Sequence, residues 1–310
     1  MARHLERAEN TARLVSVHSE TRLDWPDSDE FAWEPVLRIT GTLDDFEARG
    51  LSRTDEDAAE FLLSDPWNPS SLLSICARAR ENNRTLIDIL PRESWEEVNE
   101  LHQLTAQPGV ARADRRGEHL REVIGRAQAM AGLFLGALND DEGYAVLRLG
   151  RAIERGDFAT RVMLGRLEII EHGASDHQVL RGADWVGALR SLTAFQMYRR
   201  SVLGPVTGPR VIRFITCSTV FPRALAYCAR EAERALARLP GSSLPLAAAE
   251  RLSTALASEH CLVDNEAKPT AILTAVQKDL AALHESFAAT YFVPQPEGPF
   301  RAGQRQTQST

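Results

Sequence analysis

Charged side chains at helical spacing near the start of the chain are the first candidates for chemistry. The set comprises Arg3, Glu6, Arg7 and Arg13. Because residues three or four apart are neighbours on a helix, most of these side chains share one face, opposite a face of small apolar residues. A carboxylate among arginines can bind an anionic ligand, act as a general acid–base when it is buried, or lock two elements together.

The same order of charges returns in the middle of the chain. Residues 151–161 repeat the pattern of residues 3–13, with Glu154 in the place of Glu6. The members of this second stripe are Arg151, Glu154, Arg155, Asp157 and Arg161. The repetition predicts two paired helices that face a common interior, where buried carboxylates need the arginines as partners. Such a network either locks two halves together or holds an anionic ligand, and both interpretations stay open.

A second polar set surrounds a predicted helix start. It comprises Asn68, Ser70, Ser71, Arg80, Glu81 and Asn82, with Arg223 at the matching place in the second half of the chain. A helix N-terminus offers free N–H groups and a partial positive charge, which suit a carboxylate or a phosphate. The alternative is ordinary capping, with Asn68 as the N-cap of a helix that starts at Pro69.

Patterns of known catalytic and metal sites are absent from the sequence. No P-loop, Gly-x-Ser-x-Gly or His-Glu-x-x-His pattern occurs, and Ser70 and Ser71 lack an identifiable base. His172 and His177 lack a third ligand, so we expect no metal and no cofactor. Catalytic residues are therefore left unassigned.

The elements that position these residues read as helices throughout, which predicts an all-α fold. Predicted helices span residues 3–19, 31–45, 55–63, 69–89, 118–138, 184–201, 211–217, 222–238, 246–260 and 270–292, with another starting at residue 94 and one carrying the second stripe. The segment 211–217 is rich in β-branched residues but is predicted as helix by analogy with its counterpart. Trp33, Trp95 and Trp185 are expected in the core.

Similar motifs recur at nearly constant offsets along the chain, as at Trp33 and Trp185. This predicts a helical bundle made of two tandem pseudo-repeats, residues 1–148 and 149–293, that arose by internal duplication. The offset is too long for a solenoid. Residues 294–310 are rich in Pro, Gly, Gln, Ser and Thr, and are predicted to be a disordered tail.

Composition restricts the classes of protein that fit. The 310 residues carry 36 basic and 43 acidic side chains, a net charge of −7, which argues against general nucleic-acid binding. No signal peptide and no membrane-spanning apolar run is evident. The four cysteines have no paired spacing, so we expect reduced thiols and a cytoplasmic protein.

Together these motifs resemble the bacterial alpha-E domain family. The resemblance rests on the doubled Arg-x-x-Glu-Arg helix, the Asn68-Pro-Ser-Ser71 turn that leads into Ala79-Arg-Glu-Asn82, and the later Phe221-Pro-Arg223 turn. It covers roughly residues 1–292 and implies an all-helical domain. Family members usually carry one or two helical turns before the first motif, so the start of this chain is expected to be truncated or misassigned.

The resemblance also implies a functional context. Family members are commonly encoded beside, or fused to, ATP-grasp proteins, and near transglutaminase-like proteins. We therefore expect a helical partner of an ATP-grasp amide ligase that binds an anionic or peptidic ligand through its Arg/Glu helix faces. The alternative is an enzyme of the same pathway, a transferase or hydrolase, with Glu6 or Glu154 as acid–base.

Overall fold

The computed structural model describes residues 1–24, 32–172, 178–257 and 269–292. Every regular element in these ranges is an α-helix. In the first part of the chain these are α1 (Ala2–Asp24), α2 (Glu34–Thr40), α3 (Leu43–Ala48), α4 (Asp55–Leu63), α5 (Leu72–Arg84), α6 (Arg92–Thr105) and α7 (Ala113–Ala137). They are followed by α8 (Glu142–His172), α9 (Gln178–Ser191), α10 (Phe195–Ser201), α11 (Gly208–Cys217), α12 (Leu225–Leu236), α13 (Ser243–Ala257) and α14 (Pro269–Tyr291). The all-α prediction is confirmed.

The two helices that carry the charge stripes, α1 and α8, lie against each other at the centre of the bundle. Helix α1 also packs on α5 and α7, whereas α8 packs on α12, α14 and α2. A glycine marks one close approach between α1 and α8: a Cβ on Gly150 would lie 3.4 Å from Cγ of Arg3. This packing buries Glu6 and Glu154, the central carboxylates of the two stripes.

The main core combines aliphatic side chains with several buried aromatic ones. Trp33 is fully buried, and its Nε1 donates to Asp55 Oδ1 at 3.0 Å. The ring of His18 lies 4.5 Å from the ring of Trp33. Trp185 is buried as well, so these two tryptophans belong to the core, as expected. A smaller apolar cluster joins α8, α12, α13 and α14.

The predicted helix over residues 69–89 is shorter than expected, and its predicted N-cap is wrong. Helix α5 begins at Leu72, and Ser71 is its N-cap, with Oγ accepting from the Ser74 N–H at 3.2 Å. Asn68 instead shapes the preceding turn: its Oδ1 accepts from the Ser70 N–H at 2.8 Å, and its Nδ2 donates to the Phe61 carbonyl at 2.8 Å. Asn side chains compete for local backbone groups in this way.

Each predicted tryptophan helix is broken in two. The first divides into α2 and α3 at Gly41, whose φ of 71° is left-handed and ends the helix. The second divides into α9 and α10 around Thr193, which has a φ of 54°. The segment 211–217 is helical, as predicted, within α11. Most other helix boundaries differ by a turn or so from the predicted ones.

Some predictions fall on residues outside the described ranges. The tail at 294–310, Cys261 and His177 lie there. Helix α8 runs without a break through residue 148, the predicted limit between the two repeats. The stripe residues of α8 therefore lie on the same continuous helix as residues 142–148, which belong to the predicted first repeat.

Candidate functional site

The two charge stripes exchange partners across the interface between α1 and α8. Glu154 of α8 accepts from Nε of Arg3 at 2.9 Å and from Nη2 of Arg7 at 2.9 Å, both on α1. In return, Glu6 of α1 accepts from Nε of Arg155 at 2.8 Å. Each helix thus supplies the carboxylate that the arginines of the other helix need.

These carboxylates are almost sealed from solvent. Only 3% of the Glu6 side chain and 4% of the Glu154 side chain are exposed. Removing one partner from a buried ion pair leaves an uncompensated charge and is strongly destabilising. The pairing therefore locks α1 to α8 and fixes their register.

Arg223 joins this cluster from the turn before α12. Its Nη1 lies 2.9 Å from Glu6 Oε1, and its Nη2 lies 3.0 Å from Glu9 Oε1. Nη1 also donates to Asn10 Oδ1 at 2.6 Å. Sequence reasoning placed Arg223 in the second polar set, whereas the structure places it at the centre of the first.

Neighbouring side chains shift the pKa values of Glu9 and Arg7 in the direction that favours their charged forms. Burial alone would raise the pKa of Glu9, but the charge of Arg223 and the hydrogen bonds from Arg13 and Gln128 hold that pKa below its ordinary value. Burial alone would lower the pKa of Arg7, yet its pKa is raised by Glu154. Groups that stay charged serve as ion-pair partners and not as proton carriers.

Arg151 is the stripe residue with the weakest pairing. Its Nε lies 3.6 Å from Glu6 Oε2, beyond hydrogen-bond distance, and a quarter of its side chain is exposed. Burial, followed by the neighbouring charge of Arg155, lowers its pKa. A guanidinium in this setting would gain from an anionic partner.

Arg151 lines a cavity of about 530 Å³ between α8 and α12, termed here the Arg151 cavity. Its other polar or aromatic lining residues are Asp140, Tyr144, Arg148, Arg155, Tyr227, Cys228 and Glu231. Glu231 is already bound by Nη2 of Arg148 at 2.7 Å, and Asp140 is paired with Arg238. The acidic lining residues are thus neutralised within the chain.

Cys228 lines the same cavity but is not an activated nucleophile. Burial raises the pKa of its thiol to about 12. Its Sγ lies 3.6 Å from the Pro222 carbonyl oxygen, to which it donates. The reactive form of cysteine is the thiolate, so this thiol stays inert at neutral pH.

Asp157 and Arg161, the last two stripe residues of α8, pair with each other. Arg161 Nε donates to Asp157 Oδ2 at 2.8 Å, one turn apart on α8. Both side chains line a separate cavity, together with Arg7, Glu154 and Ser70. Ser70 therefore lines the same cavity as Arg7 of the first stripe. The sequence did not predict that these two residues lie close together.

The rest of the second polar set is dispersed. Arg80 donates to Asn99 Oδ1 and lies over the ring of Trp95, whereas Glu81 pairs with Arg84 on the exposed side of α5. Asn82 accepts from Thr85 Oγ1 through its backbone carbonyl at 2.9 Å. No contact in the described ranges gathers these residues with Ser71 into one anion site.

Sequence reasoning missed two kinds of site residue. Arg148 precedes Arg151 by three residues and so extends the stripe by one helical turn, a signal that was available in the spacing. Tyr227 and Gln128 come from other helices, and nothing in their local sequence marks them. Where the structure describes the chain, no group of three or more His, Cys, Asp or Glu residues could hold a metal ion.

Comparison with known proteins matches residues 1–292 to a family called Alpha-E, described as a predicted alpha-helical domain with a conserved ER motif. An uncharacterised protein of Mycobacterium bovis is 24% identical over 313 residues, covering 92% of this chain and 34% of that protein. An uncharacterised protein of Mycobacterium tuberculosis strain H37Rv is 23% identical with the same coverage. This chain thus spans about a third of the length of these relatives. No solved structure matches it.

Proposed function

The chain belongs to the Alpha-E family, and from that premise we propose that it is a helical accessory protein of an ATP-grasp amide ligase. In this role it binds an anionic or peptidic ligand in the Arg151 cavity. The observation that carries the proposal is the guanidinium of Arg151, which faces about 530 Å³ of space without a hydrogen bond to the described residues. The carboxylate of a ligand would complete its pairing.

The chemistry of the cavity supports an anion. Arg148, Arg151 and Arg155 line one side of it along α8, while the acidic side chains there already have arginine partners. Two tyrosines, Tyr144 and Tyr227, offer flat surfaces and hydroxyl groups. A carboxylate is also one of the two groups that an amide ligase joins, so a carboxylate or peptide ligand fits the proposed pathway.

The alternative enzyme, with Glu6 or Glu154 as acid–base, is less well supported. Both carboxylates are sealed and are bound by arginines of the opposite helix. A general base must reach the proton that it removes. The arrangement favours a structural lock at the centre of the bundle, with ligand binding beside it.

We also propose that the two halves, residues 1–148 and 149–293, arose by duplication of one helical unit. The reciprocal exchange between Glu6 and Arg155 on one side, and Glu154 and Arg7 on the other, supports this origin. Copies of one unit that pack through the same face produce such an exchange. Equivalent residues of the two halves then form equivalent ion pairs at the two ends of the cluster.

The proposed partners are an ATP-grasp ligase and a transglutaminase-like protein in the cytoplasm. The relatives are about three times as long as the matched region, so the helical domain occurs there beside further polypeptide. The buried thiols of Cys76 and Cys228, which form no disulfide, agree with a reducing compartment. No helix in those ranges is both long enough and apolar enough to cross a membrane.

Ligand binding in the Arg151 cavity is tested by calorimetric titration with N-acetylglutamate and with inorganic phosphate. We expect saturable binding of at least one of them, weakened about tenfold or more in Arg151→Gln, because a charge-assisted contact is lost. Arg92→Gln, on an exposed side chain of α6, is the matched control and leaves the affinity unchanged. Binding that is equal in both variants would refute the site.

The partnership is tested separately by co-purification with an ATP-grasp amide ligase from the same organism. The expected result is a complex that survives washing, and a change in ligase turnover on addition of this chain. A ligase that neither associates with the chain nor changes its rate would refute the accessory role.

A further inference from the structure

The two ends of the charged cluster differ by one arginine. Glu6 and Glu9 lie three residues apart on α1, as Glu154 and Asp157 do on α8. At the first end, Arg223 bridges both carboxylates through its two Nη atoms. At the second end, the residue at the matching place after a proline is Ser70, which carries no charge.

The second end contains empty space where the first end contains a guanidinium. A cavity of about 220 Å³ lies there, termed the Ser70 cavity, and it is lined by Arg7, Thr11, Ile39, Thr40, Gly41, Ser70, Glu154, Asp157, Phe158 and Arg161. A water molecule occupies roughly 30 Å³ in the liquid. The cavity therefore has room for a small organic group with a short alkyl chain.

The acidic side chains at the two ends are not equally satisfied. Glu9 accepts from Arg13 at 2.8 Å and from Gln128 at 3.2 Å, besides its contact with Arg223. The carboxylate of Asp157 accepts only from Arg161 among the described residues. It is also more exposed, at 20% against 7% for Glu9. Asp157 thus has free acceptor capacity at the edge of the Ser70 cavity.

The balance of charge permits one more cation at this end. At the first end, four guanidiniums surround two carboxylates, since Arg13, Arg151, Arg155 and Arg223 all pair with Glu6 or Glu9. At the second end, only three do so, from Arg3, Arg7 and Arg161. A fourth guanidinium would therefore reproduce a ratio that the chain already stabilises.

We propose that the Ser70 cavity binds the guanidinium group of a small alkylguanidine, in the position that corresponds to Arg223 at the other end. A planar guanidinium can bridge two carboxylates through separate N–H groups, as Arg223 does. Phe158, which stands where α1 has Asn10, gives the alkyl chain an apolar wall. This site goes beyond the proposed function: it shares no lining residue with the Arg151 cavity.

The first experiment is calorimetric titration of the full chain with n-butylguanidinium, and with n-butylurea as an uncharged molecule of the same shape. We expect one saturable site for the guanidinium and none for the urea. Asp157→Asn weakens binding about tenfold or more, whereas Asp140→Asn, in the Arg151 cavity, leaves it unchanged. Equal binding of the two molecules, or no loss in Asp157→Asn, would overturn the proposal.

The second experiment supplies the guanidinium from the chain itself. Ser70→Arg should abolish binding of n-butylguanidinium and raise the unfolding temperature by roughly 2–4 °C, because a tethered cation pairs with Glu154 and Asp157. Ser70→Met, a long side chain without charge, should block binding without that rise. An Arg variant that is no more stable than the Met variant would overturn the proposal, and the result does not depend on the Arg151 cavity.

Discussion

Glu6 on α1 and Arg223, in the turn before α12, lie 2.9 Å apart in the interior of the bundle. Because the same guanidinium also contacts Glu9 at 3.0 Å, one side chain ties that turn to two successive turns of α1. Only 9% of the Arg223 side chain is exposed. Arg223 thus supplies to Glu6 and Glu9 a guanidinium partner that neither charge stripe contains.

Replacing Arg223 should therefore be costly. We expect Arg223→Met to lower the free energy of unfolding by about 3–5 kcal/mol, since it leaves Glu6 and Glu9 buried with fewer partners. Urea unfolding measures the change. Arg234→Met is the control, because that side chain is 64% exposed and its partner Glu231 keeps its ion pair with Arg148, so it should cost less than about 1 kcal/mol. Equal losses would contradict the role of Arg223.

Close packing of α8 on α2 gives a second prediction. A Cβ on Gly165 would lie 2.8 Å from Cγ1 of Ile39, so the buried Ile39 side chain would have to shift. Gly165→Ala should therefore lower the free energy of unfolding by about 1–3 kcal/mol through overpacking, despite its better helix propensity. Gly132→Ala on α7 meets no atom within 4 Å and should raise it by about 0.5–1 kcal/mol.

Thermal unfolding of both glycine variants decides the point. If Gly165→Ala were as stable as Gly132→Ala, the contact between α8 and α2 would be looser than the structure has it.

The break between α9 and α10 gives a third prediction. Thr193 has a φ of 54°, a conformation that β-branched residues rarely adopt. Thr193→Gly should raise the free energy of unfolding by about 1 kcal/mol, because glycine adopts this conformation without a steric cost. Thr85→Gly, at a φ of −75°, should instead lower it by about 0.5–1 kcal/mol. Chemical denaturation should show opposite signs, and a loss in both variants would contradict the strain at Thr193.

Buried His18 gives a fourth prediction, on pH dependence. Burial, aided by the charges of Arg166 and Arg22, lowers its pKa to about 3 from an ordinary value of 6.5. As pH falls below 6.5, the His18 imidazole becomes protonated in the unfolded chain but stays neutral in the folded chain. The free energy of unfolding therefore falls. Between pH 7.5 and pH 5, His18 should cost about 2 kcal/mol of unfolding free energy.

Urea unfolding at both pH values tests this cost. His18→Phe keeps a ring against Trp33 and removes the proton site, so the variant should lose about 2 kcal/mol less than the original chain over that interval. His4, whose pKa is about 4 because of burial and nearby positive charges, contributes equally to both proteins. Identical pH profiles would show that His18 is not the group responsible.

The pairing of the stripes could be foreseen in outline from the sequence. Repetition of the same charges in the same order indicated that Glu6 and Glu154 share an interior, and both are in fact buried against each other's helix. The place of Arg223 could not be foreseen, because a turn residue acquires its partners only when its helix docks. The N-cap of α5 was misjudged for a local reason: Asn68 bonds to the turn and leaves Ser71 to cap.

By itself, the sequence determined that this protein is helical, that Trp33 and Trp185 face inward, and that two charged stripes run along helices. Helical periodicity is a local property, since it follows from the order of apolar and polar residues. Only the tertiary structure decided which arginine meets which carboxylate, that Arg223 fills one end of the cluster, and that the Ser70 end stays open. Those outcomes depend on how helices that are distant in the sequence pack against each other. A displacement of about one ångström between donor and acceptor is enough to make or break the hydrogen bond of a guanidinium.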